Sequence, residues 1–475
     1  MKRTILCLLL AAQLAAASCG SGAGTSETTK ETTAAPIQND YLEELVTDDF
    51  RGRTFTILDA TDFPGQVYNM PDEELAGDII NDGLAARNRL IEERFGITIA
   101  YEQSNSAEAG IDSMRASVLA GDDDYQLVIS KLMGGALGSV ATEGVLADLC
   151  DIDELSLESE WWSRLMYDKM QLGGRMYFTA GDISPEIYNT PYAVFFNTSL
   201  LDEYGIDTDL HALVDMGEWT IDALQALTMP YGEDINGDNV MHTNDDFFGI
   251  VYQSNTLAAT GWTAGAGVDL SYVEAGTIKL GLSSELCVNT VEKLRTLTCG
   301  IRYDDHNDIY NKAFMSDRAL AMIHIVSFGV DSLRKMESDY TILPMPKYDA
   351  AVDGYRSPVN AWANAFAAIP LTADEDFAGT VTEALCYVSW RDLRPDVYDL
   401  VLKQKSARDE ASARMLDLIY DNLYLDFNSL YNFGGTTDIL ANAIFGGGEL
   451  LSGISAVAEK AQAEIDALTD AWIGE

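Results

Sequence analysis

Positive charge is scarce in this 475-residue chain: 30 lysines and arginines stand against 76 acidic residues, for a net charge of -46 and an isoelectric point near 4.1. A surface this acidic repels phosphate backbones and anionic headgroups, which argues against nucleic acid as a partner. Histidine is scarce too, with His211, His242, His306 and His324 scattered at spacings that suit no zinc site. Of six cysteines, Cys150, Cys287, Cys299 and Cys386 lie beyond the first twenty residues, too far apart for a metal cluster, and their pairing stays open among three connectivities. No lipase-type GxSxG occurs, no internal repeat stands out, and beyond the N-terminus no apolar run is long enough to cross a bilayer. Carboxylates are so many that chance pairs are unavoidable, so acidic pairs alone do not point to a glycosidase. The expectation is a non-enzyme without a catalytic cofactor.

What is present begins at the N-terminus. "MKRTILCLLLAAQLAAASCG" has Lys2 and Arg3, an apolar run from Ile5 to Ala17, then small residues before Cys19, the pattern of a secretory signal over residues 1–18. The "AASC" at its end resembles the lipobox of bacterial lipoproteins, with Ala16 where leucine is usual, so Cys19 is expected to carry lipid. The stretch to residue 40, "GSGAGTSETTKETTAAPIQND", has hardly an apolar side chain and reads as a tether. The body is then expected on the outer face of the cell membrane, held there by its lipid anchor.

The body alternates strand and helix patterns. "TFTILDA", "ITIAYE" and "YQLVIS" read as strands. Between the first two, Ile80, Leu84, Ile91 and Phe95 share one face of a helix with Asp78 as cap and Gly96 as stop. A second helix is expected over 106–120, further strands at "YAVFFN" and "RALAMIHIVSFG", and mostly helix over 374–424. Such alternation implies parallel sheets covered by helices, and the length allows two lobes. Ligands of open parallel sheets sit beyond the carboxyl ends of the strands. That rule selects Asp59, Asp62 and Phe63 after the first strand, Ser130 and Lys131 after the third, Tyr188 and Asn189 at the lobe crossing, and Phe328 after "AMIHIVS". Trp262 and Trp362 join them because both stand in glycine- or asparagine-containing segments rather than on periodic helices. Aromatic rings beside amides and carboxylates suit a sugar, whose C–H face packs on the ring while its hydroxyls bond at the edge.

Several stretches together resemble one family. "GDIINDGLAARNRLIEERFGITI", "GVLADLCDIDEL", "EWWSRLM", "GRMYFTAGDIS", "VFFNTSLLDEYGID", "DMGEWTIDAL" and "FMSDRALAMI" are similar to extracellular solute-binding proteins of ATP-binding-cassette (ABC) importers. "ARDEASARMLDLIYDNLYLDFNSLYNFGG" resembles the tail of a lipoprotein branch of that family from anaerobic Gram-positive bacteria. The resemblance implies a two-lobed, doubly wound α/β fold of the type II periplasmic-binding-protein kind, with a hinge and an interlobe cleft. It implies a monomer that captures a small-molecule solute, often a carbohydrate, and delivers it to the transmembrane subunits of a permease. A peptide or other non-sugar solute, or presentation of the solute to a signalling partner, is the alternative. The expected first lobe is 41–190 plus about 315–370. The second is 191–314 plus about 371–475, with the C-terminal helices.

One loop stands apart. "DINGDNVMHTND" places Asp234, Asn236, Asp238 and Asp245 at positions one, three, five and twelve of an EF-hand-type calcium loop, with the Val240 carbonyl at seven and Asn239 where glycine is usual. The same residues equally favour a polar turn that needs no ion.

Overall fold

The structure is a computed structural model. It describes residues 41–45, 50–61, 69–134, 136–184, 190–242, 244–298, 309–326, 333, 336–362, 365–397 and 410–474. The chain divides into two compact units, Met1–Glu44 and Leu45–Glu475. Of the first, the described part is the single-turn helix Tyr41–Glu44.

The second unit is built from thirteen described strands. In chain order they begin with β1 (Thr54–Ala60), β2 (Thr98–Gln103), β3 (Leu127–Ser130), β4 (Tyr192–Asn197), β5 (Gly232–Glu233) and β6 (Phe247–Tyr252). They continue with β7 (Ser271–Glu274), β8 (Thr277–Leu280), β9 (Ala319–Ile325) and β10 (Tyr340–Leu343), and finish with β11 (Ser357–Pro358), β12 (Phe366–Ala368) and β13 (Leu423–Tyr424). The first-lobe sheet has the order β12-β3-β1-β2, and the second-lobe sheet the order β10-β4-β9-β6-β5.

In the first lobe, β1 lies parallel to both β2 and β3, as the strand–helix–strand pattern requires. The connecting helix Ile79–Phe95 buries Ile80, Leu84, Ile91 and Phe95. The Asp78 side chain accepts from Ile80 N and Asn81 N, and Gly96 closes the helix at φ 68°. The next helix, Ala107–Ala120, starts from Ser106. β12 enters antiparallel, pairing Phe366 with Ser130.

The second-lobe sheet is mixed: β4 runs antiparallel to β9, and β6 parallel to it. Alternate residues of β4 serve opposite faces. Tyr192, Val194 and Phe196 enter one core cluster and Ala193 and Phe195 another, so both faces are covered. These two strands match the expected "YAVFFN" and "RALAMIHIVSFG" segments.

The division of the chain between lobes departs from expectation. β9 and β10 were expected with the first lobe, but both pair with β4 in the second. An apolar run shows that a strand is buried, and carries no mark of its neighbours. In the other direction, the helix Glu375–Val388 packs on the first lobe, Phe377 lying edge-on to Phe55 at 5.7 Å. The long last helix Leu450–Ile473 serves both lobes. Leu450 and Ile454 join the second-lobe core, while Trp472 packs against Tyr177 and Phe178 beside β12.

Three passages of chain lie side by side where the lobes meet. β11 and β13 pair in parallel, Pro191 bridges to Val359, and Asn360 N donates to Thr190 O at 3.0 Å.

Candidate functional site

The carboxyl ends of β1 and β3 gather three of the residues singled out by the strand-end rule, Asp59, Ser130 and Lys131, and Trp362 lies beside them. Asp59 is 2% exposed and accepts from Thr61 N at 3.2 Å and Thr61 Oγ1 at 2.8 Å. Burial pushes its carboxyl up from the usual range, and the hydrogen bonds from Thr61 counter part of that rise. Ser130 Oγ donates to Ala60 O at 2.6 Å, so this hydroxyl ties the ends of β1 and β3 together. Lys131 is buried except for 4% of its surface, and its Nζ stands 3.6 Å from the centre of the Trp362 ring. A buried ammonium over an indole face is a favourable cation–π pair.

Trp362 keeps 41% of its surface open to solvent. Its backbone N donates to Asn360 Oδ1 at 3.0 Å, which fixes the turn that presents the ring. Gly134, at φ 70°, lies against the same ring: a Cβ there would meet Trp362 Cζ3 at 2.8 Å. Close approach therefore requires glycine at 134. The result is a tryptophan held from below by cation and backbone and exposed above, the arrangement of a stacking platform.

Next to it is a narrow space at the carboxyl end of the hinge strands, lined by Tyr192, Thr260, Gly261, Val359, Asn360 and Ser429. Asn360 Nδ2 donates to Tyr192 Oη at 3.4 Å across it. Ser184 Oγ donates to Asn69 Oδ1 at 2.9 Å, close to Asp59. Sequence reasoning missed Asn69, Ser184, Asn360 and Tyr192. Only Asn360 carried a usable signal, two residues before Trp362.

Trp262 is elsewhere. It sits on the helix Thr256–Gly265, only 2% exposed, with Tyr252 at 4.9 Å and Phe445 at 5.6 Å, inside the second-lobe core. The neighbouring glycines that suggested an irregular segment are instead contact points. A Cβ at Gly261 would strike the Tyr192 ring at 2.6 Å, and one at Gly265 would strike Met345 Cβ at 2.6 Å. Trp262 is corrected to a core residue. Asp62, Phe63, Tyr188, Asn189, Phe328 and Cys19 lie outside the described residues.

In the 234–245 loop the Asp234 side chain accepts from Gly237 N and Asn239 N, both at 2.7 Å. Asn236 accepts from Asp238 N at 2.9 Å and Asp238 from Val240 N at 2.8 Å. Asn239 has φ 67°, the left-handed conformation that the sixth position of a calcium loop requires. Among the described residues no three His, Cys, Asp or Glu side chains converge as ligands, so Asp234, Asp238 and Asp245 do not form a cage. Cys150, Cys287 and Cys386 are free thiols, with burial pushing Cys287 up to about 12.

The fold is a two-lobed mixed α/β one. No protein-family model matches the chain, and no curated protein is similar to it in sequence. Solved structures do resemble it in fold. A cyclo/maltodextrin-binding protein complexed with maltotetraose aligns at TM-score 0.59 and 11% identity, over 87% of this chain and 98% of that one. The GacH receptor of Streptomyces glaucescens, solved unliganded and with acarbose, aligns at 0.53 and 14%, over 88% and 99%. An ABC substrate-binding protein from Listeria monocytogenes in complex with cycloalternan aligns at 0.50 and 11%, over 87% and 99%. No helix among the described residues is long and apolar enough to cross a membrane.

Proposed function

We propose that this protein is the solute-binding component of an ABC importer, capturing a carbohydrate or oligosaccharide between its lobes and handing it to the permease. The observation that carries the reading is the exposed Trp362 platform, braced by Lys131 and placed at the carboxyl end of the first-lobe sheet. An indole face packs against the C–H face of a sugar ring, and the nearby Asn360 and Tyr192 offer hydroxyl partners. The fold likeness to receptors solved with saccharides supports the same reading. Contacts from both lobes would stabilise a closed state over an open one, which turns binding into a signal the permease can read. The protein acts without chemistry of its own, as a monomer tethered outside the cell by lipid on Cys19.

A thermal-shift screen of the tether-free body against sugars and peptides tests this, because a ligand of the folded state raises the melting temperature. A sugar response supports the proposal. A response to peptides alone would replace the carbohydrate with a non-sugar solute. We also propose that the 234–245 loop holds a structural calcium ion through Asp234, Asn236, Asp238, the Val240 carbonyl and Asp245. Calcium should then raise the melting temperature of the body, and Asp238→Ala should remove that rise. An equal rise in the variant would place the ion elsewhere.

A further inference from the structure

A cavity of about 570 Å³ opens at the amino ends of the hinge strands, away from the Trp362 platform. β11 and β13 lie between the two spaces, which share Tyr424: residues 353–356 and 420–423 line the cavity, whereas residues 358–361 and 425 line the space near Trp362. Its first-lobe wall is the pair Trp161 and Trp162 with the start of the helix Arg164–Lys169.

That wall is built with care for ring position. Glu383, fully buried on the helix Glu375–Val388, accepts from Trp161 Nε1 at 2.9 Å and from Trp162 Nε1 at 2.7 Å. One carboxylate thus sets both indoles, and a buried carboxylate needs such donors. Tyr387 and Trp390 brace Trp161 further at 5.1 and 5.8 Å. The facing wall is equally fixed. Arg356 binds Asp269 at 2.9 Å and lies 4.7 Å over the Tyr424 ring, and Tyr424 Oη donates to Asp426 at 3.0 Å.

The charges narrow the ligand. Arg164, Lys169, Arg356 and Arg394 line the cavity, and Glu160, Asp168, Asp353 and Asp421 match them in number, in a chain whose net charge is -46. The arginines are already engaged: Arg164 with Asp168 at 2.9 Å, Arg356 with Asp269, and Arg394 with Asp182 at 3.7 Å. A free ion would have to displace these partners, and a wholly apolar molecule would strand them. A neutral ring with apolar faces and hydroxyl edges does neither. The volume lies within the range of roughly 300–1,000 Å³ typical of small-molecule sites.

We infer that this hinge cavity is a second saccharide site, separate from the Trp362 platform and touched by both lobes. The inference rests on the cavity's own lining and stands or falls apart from the proposed function. An occupant that contacts both lobes biases their arrangement, so filling one site changes affinity at the other reciprocally.

The test is calorimetric titration of the tether-free body with maltotetraose, cellotetraose and xylotetraose, using the parent protein, Trp362→Ala, Trp161→Ala and Ser163→Trp. Ser163 lines the cavity and its side chain makes no capping hydrogen bond, so tryptophan there plugs the space even if Trp161→Ala fails to fold. The expected result is two equivalents of one sugar per chain. One of them should be lost or weakened by about tenfold or more in Trp161→Ala and Ser163→Trp, and kept in Trp362→Ala. A single equivalent abolished by the cavity variants supports the hinge site and removes the platform. A single equivalent abolished by Trp362→Ala alone, or no binding of any of the three sugars, overturns the inference.

Discussion

Trp262 in the second-lobe interior and Trp362 at the first-lobe strand ends keep similar company in the chain, "ATGWTAG" and "VNAWANA", yet one is 2% and the other 41% exposed. Both have small neighbours for different reasons. Around Trp262 the glycines let a helix approach Tyr192 and Met345, so smallness serves packing. Before Trp362, Ala361 belongs to a turn pinned by Asn360, and the glycine that matters, Gly134, is remote in sequence. An aromatic residue in small company therefore marks either a close-packed helix or a presented ring. What decides between them is whether the third dimension supplies a partner for each face.

Substitution should separate the two regions. Trp262→Ala leaves a large cavity in a close-packed core and should cost about 3–5 kcal/mol, read as a fall in urea midpoint; a change below about 1 kcal/mol would mean that the core closes around the gap. β9, which carries the partly buried His324, should also show itself by pH. Burial lowers His324 from its ordinary 6.5 to about 4, so the unfolded chain takes up this proton first on acidification. Stability present at pH 7 is then lost as pH falls from 6.5 to 4, by up to about 3 kcal/mol. His324→Gln should lack that part of the slope, and identical pH profiles would show that the imidazole does not contribute.

The strand ends should respond more weakly in stability and more strongly in binding. Lys131→Met keeps the buried stem and removes the ammonium over Trp362, at a cost of about 1 kcal/mol and with a shift in tryptophan emission. Trp362→Ala should change stability by less than about 1 kcal/mol while weakening saccharide binding about tenfold or more. If Trp362→Ala instead destabilised the protein as much as Trp262→Ala, the contrast between the two regions would fail.

Much of the fold was legible because local signals agreed with one another. The Asp78 cap, the apolar face of Ile80, Leu84, Ile91 and Phe95, and the Gly96 stop all appear where expected. Asp59, Ser130 and Lys131 were legible as strand ends, since the position of a strand end follows from the strand itself. Pairing was not. Nothing in "RALAMIHI" announces β4 and β6 as neighbours, and nothing in "AFAA" announces β3. Asn69 and Ser184 were illegible for a related reason: a polar residue in a turn looks the same whether tertiary contacts bury it or leave it in water.

The pairing of Phe366 with Ser130 has a consequence for how the chain reaches this form. β3 keeps a bare edge until β12 arrives, and every strand of the second-lobe sheet lies between them in the chain. Closing so long a loop is slow, and an uncovered apolar edge invites pairing with the wrong chain in the meantime. The first lobe begins first and finishes late, so its most aggregation-prone moment is the interval in which the second lobe is being made.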